Sequence, residues 1–203
     1  MNSCSARILT SFFCCVAGSC LLFSCESDDK TSYIPRPKGY NRIDLPAQKY
    51  QTLHEQHPYN FEYSTAAVIL PDTFAMAEKH WIFIYYPRFN ANIQLTYKEV
   101  QNNPERLKGF IDDAYKLAGK HQIRASALQE QIIKTESGRI VTLFQLSGDV
   151  PSPLQFYTTD STTHYLRGAI YFPTATKNDS FAPVIDFIQR DALRLLNTLE
   201  WRK

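Results

Sequence analysis

From residue 61 onward the apolar positions follow two periods. Phe61, Tyr63, Thr65, Ala67 and Ile69 alternate with their neighbours, which predicts a strand over 61–70 with one face inward. Residues 80–86 are apolar at nearly every position and predict a central strand covered on two sides, ended by Pro87. Alternation returns over 92–98, with Ile93, Leu95 and Tyr97 inward. The period then becomes helical. Asn103 is a cap, Pro104 suits the first helical position, and Glu105 faces the positive end of the dipole. Leu107, Phe110, Ile111, Ala114, Tyr115 and Ala118 form one stripe, and Gly119 is placed to stop the helix.

Two hairpins follow. Residues 127–135 and 139–147 flank Glu136, Ser137 and Gly138, and residues 154–159 and 163–172 flank Asp160, Ser161 and Thr162. A last helix is predicted over 181–201 with Ser180 as cap. Its stripe is Phe181, Val184, Ile185, Ile188, Ala192, Leu195, Leu196 and Leu199, while Asp186, Arg190, Arg194 and Thr198 lie off it. The order β-β-β-α-β-β-β-β-α, with short turns between strands, predicts an α+β domain: an antiparallel sheet of six or seven strands covered by two amphipathic helices.

The beginning of the chain has a different pattern. Arg7 precedes an uncharged apolar run over 8–23, and Leu22, Phe23 and Ser24 lead to Cys25. A charged start, a short apolar run and a small residue before the cut describe a secretory signal. The run is shorter than the about 20 residues a spanning helix needs. A cysteine just after the small residue resembles a bacterial lipobox, with Cys25 becoming the lipidated first residue. The division expected is 1–24 signal peptide, 25–60 lipidated Pro-rich tether and 61–203 globular domain. Within the tether, Glu26, Ser27, Asp28 and Asp29 are acidic, and Pro35, Pro37, Gly39, Pro46 and Pro58 interrupt any regular period. Tyr40, Ile43, Leu45 and Tyr50 give residues 35–50 apolar teeth, suited to a strap on the domain itself or to a partner.

Composition narrows the classes further. The chain has 203 residues, 44% hydrophobic and 13% aromatic, enough to bury a core. Its formal net charge of +2 carries no basic stripe and argues against a nucleic-acid partner. All five cysteines lie in residues 1–25, so the exported domain is expected to fold without disulfides.

Candidate chemistry is sparse. His54, Glu55, Gln56 and His57 have neither the spacing nor the helical context of a zinc motif and read as a solvated turn, with no metal expected. Asp160, Ser161 and His164 are the residue types of a hydrolase triad, but three residues in one hairpin turn do not readily reach its geometry, and a Gly-x-Ser-x-Gly elbow is missing. His164, Tyr165, Arg167 and Tyr171 are candidates, with Tyr86 and Arg88, to line a polar groove. Arg88, His164 and Arg167 would there offer donors to an anionic or peptide ligand. Nothing in the spacing calls for a cofactor, and no enzymatic activity is expected.

Four long strings carry a resemblance. They are Pro35-Arg-Pro-Lys-Gly-Tyr-Asn-Arg-Ile-Asp-Leu-Pro46, the segment 146–156 with Pro151 and Pro153, the segment 159–172 through His164 and Arg167, and the helix ending at Leu199, Glu200 and Trp201. On these the chain resembles the gliding-motility lipoprotein GldD family. The resemblance implies a membrane-anchored, non-enzymatic part or assembly factor of the gliding apparatus and its linked protein secretion, with other proteins of that machinery as partners. It offers no catalytic residue to carry over. The implied location is the cell envelope, at the outer membrane through Cys25, with residues 26–29 similar to the acidic signal of surface lipoproteins. The element order is also similar to the PsbP/Mog1 type of α+β fold. The alternative is a ligand-binding module for a peptide or glycan, and a hydrolase using Asp160, Ser161 or His164 ranks behind both.

Overall fold

A computed structural model of the protein describes residues 43–122, 124–173 and 178–202. The signal segment, Cys25 and the acidic stretch lie outside the described residues. In chain order the elements are β1 (Tyr50–Thr52), β2 (Tyr59–Asn60), β3 (Glu62–Ser64), β4 (Val68–Pro71), β5 (Ile82–Tyr86), β6 (Ala91–Glu99), α1 (Pro104–Gln122), β7 (Ala127–Lys134), β8 (Ile140–Ser147), β9 (Leu154–Thr159), β10 (His164–Tyr171), α2 (Asn178–Thr198) and β11 (Glu200–Trp201).

Seven strands form one antiparallel sheet in the order β4-β5-β6-β10-β9-β8-β7. Two meanders, β4 to β6 and β7 to β10, are joined where β10 pairs with β6, from His164 opposite Glu99 to Tyr171 opposite Asn92. This is the α+β class that the periodicity predicts. Directly opposed residues share a face, so Ile84, Ile93 and Ile170 line up on one side, as do Leu95, Gly168 and Phe156. There α2 buries Val184, Ile188, Leu195 and Leu196. Phe187 and Asp191, outside the predicted stripe, are buried as well, whereas Phe181 is exposed.

The other face is covered unevenly. The α1 helix starts as its cap requires: Asn103 Oδ1 accepts the N–H groups of Glu105 (3.0 Å) and Arg106 (3.1 Å). Its small residues Ala114 and Ala118 are buried, and it lies over β8 to β10. The rings of Tyr115 and Phe144 are 5.0 Å apart, and Tyr165 donates to the Phe110 carbonyl (3.0 Å). The β4 and β5 strands are left open on this side. Val68 stands opposite Tyr85 and Leu70 opposite Phe83, and Phe74 leans on Phe83. Phe74 is 69% exposed and Met76 88%. The expectation that 80–86 is covered on two sides is therefore corrected. Ile82, Ile84 and Tyr86 are buried, but Phe83 and Tyr85 look toward solvent because α1 does not extend that far.

Four more local expectations change. The strand predicted over 61–70 is broken at Thr65 and Ala66, where the Ala67 N–H turns back to the Ser64 carbonyl (3.1 Å). Gly119 does not end α1, which continues to Gln122. Ser180 lies inside α2 instead of capping it. Trp201 leaves the helical period and pairs in β11 with Tyr59 of β2.

Order also begins before residue 61, which corrects the last stretch of the expected tether. The β1 strand pairs with β3, and Ile43 and Leu45 pack on the main core. Leu53 and Tyr59 are fully buried, each contributing about 2 kcal/mol of hydrophobic stabilisation. Pro46 and Pro58 sit just outside the short paired strands, so they punctuate this segment without excluding it from the fold.

Candidate functional site

The side chains best placed for recognition gather at one end of the sheet. Four features meet there: the 53–58 loop, the start of β5, the β6–β10 end and the β11 strand. His57 Nε2 lies 3.0 Å from a Glu55 carboxylate oxygen, and its Nδ1 lies 3.2 Å from His80 Nδ1. In the neutral pair Glu55 accepts the His57 Nε2 proton, so His57 Nδ1 accepts and His80 Nδ1 donates. The Tyr97 hydroxyl is 2.8 Å from His164 Nδ1. Burial first, then the charges of Glu99 and Asp160, push the Tyr97 phenol up to about 12. It therefore stays protonated, and the direction of its bond to His164 follows the tautomer of that ring: Nδ1 accepts when the His164 proton is on Nε2 and donates when it is on Nδ1.

Ring packing holds these groups. His57 stacks on Tyr59 at 5.1 Å, and His164 stacks on Trp201 at 4.9 Å. Tyr59 donates to the His80 carbonyl (2.6 Å) and the Trp81 indole to the Tyr97 carbonyl (2.9 Å), which ties the segment entering β5 to β2 and β6. A cavity of about 480 Å³ opens among His57, His80, Tyr97, Glu99, His164 and Arg202. A second of about 270 Å³ shares His80, Tyr97 and Glu99 with it and reaches Arg106.

Burial lowers the His80 and His164 imidazoles below the ordinary value. For His80 the charges of His57 and Lys79 add to this and Glu99 opposes it; for His164 both Asp160 and Glu99 oppose it. The folded state therefore holds fewer protons on these rings than the unfolded chain. Their stabilisation is full above about pH 6.5 and is lost as the pH falls below it. Melting temperatures are expected to decline between about pH 7 and pH 5, with a shallower slope in His80→Gln. An unchanged slope in that variant would remove His80 from this account.

The expected groove does not form. Arg88 is exposed in the turn between β5 and β6, beside the Tyr171 end of β10, whereas His164 is at the opposite end. Arg167 faces the other side of the sheet from His164, because residues three apart on a strand point oppositely. It is 8% exposed, and its Nη2 donates to Gln155 Oε1 (2.5 Å). Of the three, only His164 lines the cavity.

The Asp160, Ser161 and His164 turn is also accounted for. Burial opposes ionisation of Asp160, but N–H donors from His164, Thr163 and Thr162 outweigh it and hold the carboxyl below its ordinary range. His164 Nδ1 is engaged by Tyr97, and the Ser161 N–H bonds Thr159 Oγ1 (2.9 Å) in a left-handed turn (φ 65°). His57, read as part of a solvated turn, has a side chain only 8% exposed. Among the described residues no cluster of three or more His, Cys, Asp or Glu side chains is arranged to hold a metal ion, and no helix is long and apolar enough to cross a membrane.

None of the curated proteins matches the chain in sequence. Among solved structures it is similar to the solution structure of cyanobacterial PsbP (CyanoP) from Synechocystis sp. PCC 6803, at 11% identity and a TM-score of 0.45, over 79% of this chain and 97% of that one. The family model described as gliding motility lipoprotein GldD matches residues 30–201, so the protein belongs to that family.

Proposed function

We propose that this protein is a non-enzymatic lipoprotein that assembles with, or stabilises, the gliding-motility apparatus and its linked secretion machinery. The observation that carries the reading is the family match, which takes in the segment following Cys25 as well as the folded domain. In this reading Cys25 is acylated and holds the domain at the outer membrane. Each buried CH₂ of its acyl chains contributes about 0.8 kcal/mol, so multiple chains anchor it stably. The adjoining Val68, Leu70, Phe74 and Met76 then serve as the surface for a protein of the same apparatus, since exposed apolar patches of this kind mark protein contacts.

Cys25→Ala is expected to release a folded, soluble protein and to abolish spreading of the cells. Normal spreading by that strain would sink the anchoring role. Mild cross-linking in intact cells, followed by recovery of the tagged lipoprotein, tests the assembly role. Proteins of the gliding or secretion machinery are expected, linked near Phe74 and Met76. Recovery of the lipoprotein alone would count against it.

A further inference from the structure

The cavity at the His57–His80 end has no part in lipid anchoring, and its chemistry is argued independently of that reading. Its walls are built into the fold: Tyr97 is 4% exposed, and Tyr59, behind it, is fully buried. The hydrogen-bonding capacity of the wall is only partly met within the protein. His57 uses both ring nitrogens, on Glu55 and His80. His80 uses Nδ1, and its Nε2 has no partner among the described residues. His164 uses Nδ1, and its Nε2 has no partner among the described residues. The Glu99 carboxylate, on the same wall, has no hydrogen-bonding partner among the described residues.

We propose that this cavity binds a neutral, hydroxyl-rich saccharide unit of an oligosaccharide. A hydroxyl donates and accepts at once, so it answers the Glu99 acceptor and the open Nε2 of His80 and His164 in either tautomer. The wall has no excess of one sign to select a charged ligand. Glu99 is balanced by Arg202 in the larger cavity, and Glu78 and Glu99 by Lys79 and Arg106 in the smaller. Burial keeps His80 and His164 neutral near pH 7. The volume of about 480 Å³ is within the range of small-ligand sites.

The test uses the full-length lipoprotein in micelles of a detergent without a sugar head group. It is titrated with maltotriose, cellotriose and chitotriose while the imidazole proton resonances of His57, His80 and His164 are followed by NMR. At least one trisaccharide is expected to bind saturably and to shift the His80 and His164 signals. Glu99 is exposed, so Glu99→Gln leaves the fold intact; it is expected to weaken that binding about tenfold or more. Three outcomes each overturn the proposal: no trisaccharide binds at millimolar concentration, binding leaves the imidazole signals unmoved, or Glu99→Gln binds as well as the parent. So does saturation of the same signals by a short peptide but by no trisaccharide.

Discussion

Gly168→Ala is expected to destabilise the domain by about 3 kcal/mol, at the upper end of what overpacking by one methyl group costs. Gly168 lies in the middle of β10, opposite Phe156 of β9, and the Phe156 ring folds back over it. A Cβ built at Gly168 would come within 2.1 Å of Phe156 Cζ and 2.5 Å of Cε2. The backbone is ordinary extended strand, so the constraint is steric and comes from the ring. Phe156 is 1% exposed and packed in the main core, so its ring moves aside only by displacing its core neighbours. Denaturant unfolding of Gly168→Ala beside Gly168→Ala/Phe156→Leu checks this. Since the two sites share one space, the second substitution should recover part of the loss, giving strongly non-additive effects. Additive losses would show that the ring is not the obstacle.

Asp191→Ala is expected to cost about 3 kcal/mol, because it strands buried donors. Asp191 lies on the buried side of α2 at 2% exposure. Its carboxylate accepts from Tyr86 (3.0 Å) on β5 and from Tyr50 (3.1 Å) on β1, joining helix, sheet and N-terminal segment at one point. Burial raises the carboxyl above its ordinary value, while hydrogen bonds from Tyr86, Tyr50 and Ser64 pull the other way. With a raised folded value, the Asp191 contribution is most favourable below about pH 4 and declines as the pH rises through the folded value. Asp191→Asn retains the shape and one acceptor, so a smaller loss of about 1 kcal/mol is expected. The stability difference between parent and Asp191→Asn should therefore shift in favour of the parent on acidification. A pH-independent difference would mean that the carboxyl titrates normally.

The elements that were legible in the chain are those whose signals are local. Alternation over 127–135 and 139–147, with Gly138 between them at φ 82°, specifies a hairpin from neighbours alone. Asn103 and Pro104 mark the start of α1 for the same reason. The folded character of residues 43–60 is not legible in the chain because β1 and β2 are only three and two residues long. Their partners, β3 and β11, are short as well, and no window of sequence shows such pairing. No breaker stands between Leu199 and Trp201, so the helix is expected to run to 201, yet the pairing of Trp201 with Tyr59 takes it out of the helix.

The candidate site was the least legible part. His57, His80, Tyr97, His164 and Trp201 come from five separate segments, and their spacings repeat no motif. By contrast, His164 and Arg167 are close in sequence and were grouped, although strand geometry sends them to opposite faces.

Period, turn chemistry and capping are properties of a few adjacent residues, and they were enough to give the α+β class, the two helices and the hairpins. The order Leu22, Phe23, Ser24, Cys25, from which a lipobox is expected, is likewise a local pattern. Long-range pairing decided the rest: that β10 lies against β6, that α1 leaves β4 and β5 uncovered, and that three distant histidines share one cavity. Those outcomes depend on which buried surfaces fit one another across the whole chain, a condition that neighbouring residues do not encode.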